Sequence, residues 1–155
     1  MTLLCLTSVG QKQSVDTLIT KIDNQQIVIM MQYVWFPKMF SPAGDDLVKI
    51  GKSVTDKLIP LLKDTSKGII AHYILSNIWA DKLKIAGQTL SSRVYPINDK
   101  ADTLEILYSD FTFYQDNKRR NFAKQDDLDN NKIRWVSFFK TNTFKQQKHI
   151  NLIRQ

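Results

Sequence analysis

The chain has 155 residues, 43% of them apolar and 24% charged, with 8 Phe, 5 Tyr and 3 Trp. That length suits one domain of ordinary soluble composition and argues against a multidomain enzyme. A single cysteine excludes a disulfide framework and any multi-Cys metal site, two histidines are few for a His-rich one, and no apolar run is long enough to read as a membrane span.

The net charge of +7 sits at one end. Residues 1–117 hold 12 Lys/Arg against 12 Asp/Glu, whereas residues 118–155 hold 10 Lys/Arg against Asp126, Asp127 and Asp129. Such an end favours anionic partners: nucleic acid, lipid headgroups, an anionic polysaccharide or an acidic protein face. The plain alternative is a solvated surface that keeps a small domain soluble.

Met1–Gly10 is uncharged, with an apolar stretch at Leu3–Leu6. Ser8-Val9-Gly10 places small residues at the −3 and −1 positions of a cut before Gln11, as signal peptidase sites do. No Lys or Arg precedes the stretch, and it is shorter than the usual apolar core of a signal, about 7–15 residues. Residues 1–10 are therefore expected to be the remnant of an export signal whose true start lies upstream. On that reading the protein is periplasmic or secreted, and without it cytoplasmic. A cut at Gly10 would also remove the only cysteine, Cys5, which suits an oxidising compartment. A plain N-terminal strand is the structural alternative.

Val15, Leu18, Ile19 and Ile22 mark one face of a helix over residues 14–22. Asp23-Asn24 ends it, and Asn24 is placed to cap the next element. Ile27–Phe36 is almost all apolar, so it is buried whether helical or extended; its position after a helix and a short turn favours a second helix. Pro37, Pro42 and Gly44 then predict a loop. Leu47, Ile50, Val54, Leu58, Leu61 and Leu62 recur at three- or four-residue intervals, with Gly51 as a break, Ser53 as a cap and a kink at Pro60. After a polar turn at Asp64–Gly68, Ile70, Ile74, Leu75 and Ile78 form another apolar face. These patterns predict helices near 45–51, 53–63 and 68–80.

Ile50-Gly51-Lys52, Val54, the LIPLLKD run at Leu58–Asp64 and the GIIAHYILSNI run at Gly68–Ile78 resemble a HEAT-type helical repeat over about residues 47–78. The resemblance implies helix pairs packed side by side and a role as a protein-binding scaffold. It covers one repeat, and such repeats bury their faces against neighbours.

Beyond Leu83 the chain becomes rich in β-branched and aromatic residues. Leu90–Ile97 and Leu104–Tyr114 read as strands of an antiparallel hairpin, joined by the turn-rich segment 98–102. Leu104, Ile106 and Tyr108 alternate with Glu105, Leu107 and Ser109; the apolar phase then shifts to Phe111 and Phe113, a sign of a bulge or of a turn into a third strand. Asp116–Arg120 reads as a polar, basic loop. Residues 126–140 predict an amphipathic helix with Leu128, Lys132, Trp135 and Phe139 on one line, acidic at its start and ending at Lys140. Residues 141–155 read as a loose basic tail.

The expected fold is thus α+β: N-terminal helical hairpins of HEAT-like character, a β-hairpin, and a C-terminal amphipathic helix. One globular domain would span 11–145, with a basic tail at 146–155. No nucleophile elbow, zinc-protease, dinucleotide or P-loop signature occurs. His72 and His149 read as structural or surface residues, and Asp45-Asp46 and Asp126-Asp127 as helix-start residues. No catalytic residue, cofactor or metal ligand is nominated. The sequence reading is a non-catalytic, exported module that binds a protein partner. Its alternative is a binder of polyanions or nucleic acid acting through Lys118, Arg119, Arg120, Lys132, Arg134, Lys140, Lys145 and Lys148. Aromatics interleave those cations, as in single-strand binders, although helical spacing sends Trp135 and Phe139 to the core instead.

Overall fold

The computed structural model describes residues 13–85, 91–97 and 102–153. The expected export signal at 1–10 lies outside them, as do Leu90 and most of the expected connector at 98–102. The fold mixes helix and sheet, as expected, with six helices and six strands among the described residues.

Helix α1 (Val15–Lys21) is capped by Ser14, whose hydroxyl accepts the Thr17 N–H. Its C-terminal end is closed from afar. The Lys67 ammonium donates to the carbonyls of Ile19 and Ile22, both at 2.8 Å, where a cation also meets the negative end of the helix dipole. Asp23 caps the short 3₁₀ turn Asn24–Gln26 and closes a capping box with Gln26. Asn24 acts elsewhere than on its neighbours in sequence: its buried Oδ1 accepts the N–H groups of Ile69 and Ile70 at 2.9 and 3.1 Å. It thereby caps helix α4 (Gly68–Ile78), whose own flanking residue Lys67 supplies no side-chain cap.

Residues 27–36, expected to be helical, form most of an antiparallel hairpin instead. Strand β1 (Ile27–Met31) pairs with β2 (Trp35–Met39), with Ile27 opposite Met39 and Met31 opposite Trp35. The β-branched run Ile27-Val28-Ile29 and the aromatic pair Trp35-Phe36 suit a pleated surface better than a helix. Pro37, expected in a loop, lies in β2, which can carry it as a strand at the edge of a two-stranded sheet.

Helix α2 (Pro42–Ile50) starts three residues earlier than expected. Ser41 accepts the Gly44 N–H, and Pro42 fills the first helical position, where no amide is needed. Gly51 ends it with φ of +79°, a conformation costly for any residue with a Cβ. The helix expected over 53–63 is α-helical only at α3 (Thr55–Leu58), between 3₁₀ segments at Gly51–Val54 and Ile59–Lys63. Pro60 explains the switch, since it offers no amide to continue the α pattern.

Helix α4 is the central element: Ile69, Ile70, Ala71, His72, Ile74, Leu75 and Ser76 are all buried. Its first residue must be small. A Cβ on Gly68 would lie 2.7 Å from the Leu62 carbonyl oxygen and 2.6 Å from a Leu128 methyl. Helix α5 (Ala80–Ile85) comes next.

The second sheet is antiparallel in the order β3 (Ser92–Pro96), β4 (Thr103–Tyr108), β5 (Phe111–Asp116), β6 (Asn121–Phe122). The shift in apolar phase is a two-residue turn, Ser109-Asp110, with φ of 49° and 60°. Both residues are left-handed, the form that matches strand twist in a tight hairpin. Ile106 and Phe113 face each other and are fully buried. Asn121 ties β6 to the first hairpin, donating from Nδ2 to the carbonyls of Asn24 and Ile27.

Helix α6 (Gln125–Ile153) is 29 residues long and includes most of the segment expected to be a loose tail. Leu128, Asn131 and Trp135 are its buried line, with Asn131 in the place expected for Lys132; Ile133 is exposed.

Candidate docking surface

The β1–β2 hairpin is packed at its base and bare at its tip. Its inward face is set by the pairs Ile27–Met39, Ile29–Pro37 and Met31–Trp35. The first pair is buried and the second has Pro37 buried, but in the third Met31 is 64% and Trp35 45% exposed. The last pair and the turn therefore overhang the body. In that turn the Gln32 N–H donates to the Val34 carbonyl at 3.3 Å, leaving Tyr33 94% and Val34 68% exposed. On the outward face Met30 pairs with Phe36, and both are half-buried. Six of the seven residues from Met30 to Phe36 are thus large and apolar or aromatic, on both faces and in the turn. Isolated apolar surface residues need no explanation, whereas a contiguous set marks an interaction site.

The polar chemistry of the interior is structural. His72 is buried and donates from Nε2 to the Tyr108 carbonyl at 3.0 Å, while its Nδ1 accepts the Trp135 indole N–H at 3.0 Å. These partners fix one neutral tautomer, because a proton on Nδ1 would face the indole donor. Burial, and next the nearby Arg134 guanidinium, pull the His72 pKa from 6.5 to about 3. The ring is enclosed by Tyr108, Phe111 and Trp135. Trp135 is thus unavailable for stacking on a nucleic-acid base, and Phe139 stacks against it at 5.6 Å.

The cations nominated from the sequence play different parts. Lys118, Arg119 and Arg120 are exposed around the β5–β6 turn. Arg120 pairs with Asp116, Nη2 to Oδ2 at 2.7 Å, and Asp116 also accepts the backbone N–H groups of Lys118 and Arg120. Those hydrogen bonds, led by that to the Arg120 backbone, hold the Asp116 carboxyl below its usual pKa. Arg134 is turned to the protein, donating to the carbonyls of Asp110 and Ser109 and to Asn131 Oδ1. Lys132 is half-buried and Lys140 exposed; Lys145 and Lys148 lie where only the backbone of α6 is described. Residues two apart on a helix point to different sides, so Lys132 and Arg134 do not share a face.

Arg134 also borders a cleft of about 170 Å³ lined by Asp110, Thr112, Asp127, Asn130 and Asn131. That is smaller than the roughly 300–1,000 Å³ of a typical small-molecule site. Asp127 Oδ2 and Asn131 Nδ2 are buried there without a hydrogen-bond partner among the described residues. Among the described residues no group of three His, Cys, Asp or Glu could hold a metal ion, and no helix is long and apolar enough to cross a membrane.

Apolarity alone places residues 27–36 in the interior; only the exposure of Met31, Tyr33, Val34 and Trp35 shows that the end of the hairpin is uncovered. Compared with known protein families, curated proteins and solved structures, the chain matches none.

Proposed function

We propose that this chain is a small, exported, non-catalytic binding module that engages another macromolecular surface through the tip of its β1–β2 hairpin. One observation carries this reading: Met31, Tyr33, Val34 and Trp35 are exposed together on an overhanging tip. Leaving that much apolar surface in water is unfavourable by about 25 cal/mol per Å², and docking would recover it. The helical half, read as HEAT-like over residues 47–78, serves as the rigid body; packing of α2 against α4 supports that part. Export would follow from residues 1–10 and places the tip outside the cytoplasm.

The test uses the immobilised full chain and a Tyr33→Ser/Trp35→Ser variant, both incubated with extract of the native source after nuclease treatment. Material held by the wild type and reduced about tenfold on the variant is the expected result. Equal retention by both proteins rejects the tip as the docking element.

The second reading, a polyanion binder, is supported by Lys118 and Arg119, which the β5–β6 turn presents to solvent. It predicts retention that vanishes with nuclease, falls steeply with salt as counterions are released, and is weakened by Lys118→Ala/Arg119→Ala.

A further inference from the structure

We infer that the β1–β2 tip seats in the surface of an anionic lipid bilayer. The inference rests on the reading of the tip as the docking element and names what it docks to. The overhanging tip exposes Met31 and Trp35 on one face and Tyr33 and Val34 in its turn, above a half-buried Met30–Phe36 pair. A wedge with large apolar side chains exposed on its face and around its turn suits a fluid medium that closes around it.

The tip overhangs by one residue pair and a three-residue turn. At about 3.3 Å per residue this is roughly 7–10 Å, comparable to the depth of about 5–10 Å at which interfacial segments sit. At that level the backbone is satisfied by the ladder, by the Gln32–Val34 bond and by headgroup water, so no membrane-spanning structure is required. Tyr and Trp are the residues enriched at such interfaces, with apolar bodies in the acyl boundary and polar tips at the headgroups.

Residues 24–44 contain no Asp or Glu, and the net charge of +7 is carried by residues 118–155. Lys38 stands on the outward face of β2, exposed, with its ammonium 5.1 Å from the centre of the Phe40 ring. No carboxylate of the hairpin would face anionic headgroups, and the net charge draws the molecule toward them.

The experiment sediments the full chain with vesicles of phosphatidylcholine alone and of phosphatidylcholine with phosphatidylserine in about a seven-to-three ratio. The expected result is partition at least about tenfold stronger into the anionic vesicles, weakened by added salt. A blue shift of tryptophan emission should accompany it and be lost in Trp35→Phe. Val34→Asp, at an exposed position that leaves the fold intact by circular dichroism, should lower partition by about tenfold or more. Absence of sedimentation, equal partition into both vesicle types, or partition unaffected by Val34→Asp overturns the inference. If vesicles fail while Val34→Asp still loses its partner from membrane-free extract, the bilayer falls, docking through the tip stands, and the occupant is a protein. If Val34→Asp changes neither measurement, tip docking falls too.

Discussion

Two of the tight hairpins, β4–β5 and β1–β2, are of opposite design. In β4–β5 the turn Ser109-Asp110 is polar, and its carbonyls are held by Arg134 from α6. The adjoining strand ends are closed by the His72–Tyr108 hydrogen bond and by the burial of Phe111. In β1–β2 the turn is Gln32-Tyr33-Val34, bonded only to itself among the interactions described, and the adjoining Met31 and Trp35 project into solvent. Both strand pairs are rich in large apolar residues. What differs is what covers the turn. α4 and α6 close over the turn end of one hairpin, whereas β3 lies beside β2 and leaves Tyr33 and Val34 of the other turn in solvent. Apolar content in itself is therefore a poor guide to burial; the partner element decides.

The contrast makes measurable claims. The largest effect is expected at the covered hairpin: Trp135→Ala removes the indole that packs on Phe138 and Phe139 and satisfies His72 Nδ1. A loss of about 3–5 kcal/mol in denaturant unfolding is expected, as for other buried Trp truncations. Arg134→Ala should cost about 2–3 kcal/mol, because it strips a charged donor from carbonyls of the Ser109-Asp110 turn.

Acidification gives a third effect of defined sign. His72 binds a proton in the unfolded chain near pH 6.5 but in the folded protein only near pH 3. The unfolded state thus binds more protons between those values, so stability is full above pH 6.5 and falls as pH is lowered toward 3. Between about pH 5.5 and 4.5 the slope approaches roughly 1.4 kcal/mol per pH unit, and His72→Gln should flatten it in a pH series of urea melts.

The smallest effect is the one that separates the hairpins. Tyr33→Ser should change unfolding free energy by no more than about 0.5 kcal/mol, although it removes an aromatic ring, because that ring touches little of the folded protein. A loss comparable to that of Trp135→Ala would show that the tip is covered in solution, and the contrast between the hairpins would collapse.

Much of the local structure is legible in the sequence. Val15, Leu18, Ile19 and Ile22 announce α1, the alternation from Leu104 to Tyr108 announces β4, and the change of phase beyond it is the Ser109-Asp110 turn. The candidate site is much less legible. The tip lacks any Gly, Pro, Asn or Asp to betray a turn, so an unbroken apolar run reads as a buried helix. Arg134 looks like a surface cation because a sequence shows its charge and not the carbonyls it reaches 24 and 25 residues away. Asn24 is a cap, as its residue type suggests, but of a different element: its targets, Ile69 and Ile70, are 45 and 46 residues along the chain.

The amino-acid sequence by itself determined the mixed α and β character, the places where the chain breaks at Gly51 and Pro60, and the concentration of charge beyond residue 117. Those features depend on backbone propensity, missing amide donors and counted charges, all properties of residues and their near neighbours. Only the tertiary structure decided that His72 is neutral and enclosed, that Asn24 and Lys67 close helices other than their neighbours in sequence, and that residues 31–35 are exposed. The reason is that burial and hydrogen bonding belong to pairs of groups, and in this fold the deciding partners lie tens of residues apart.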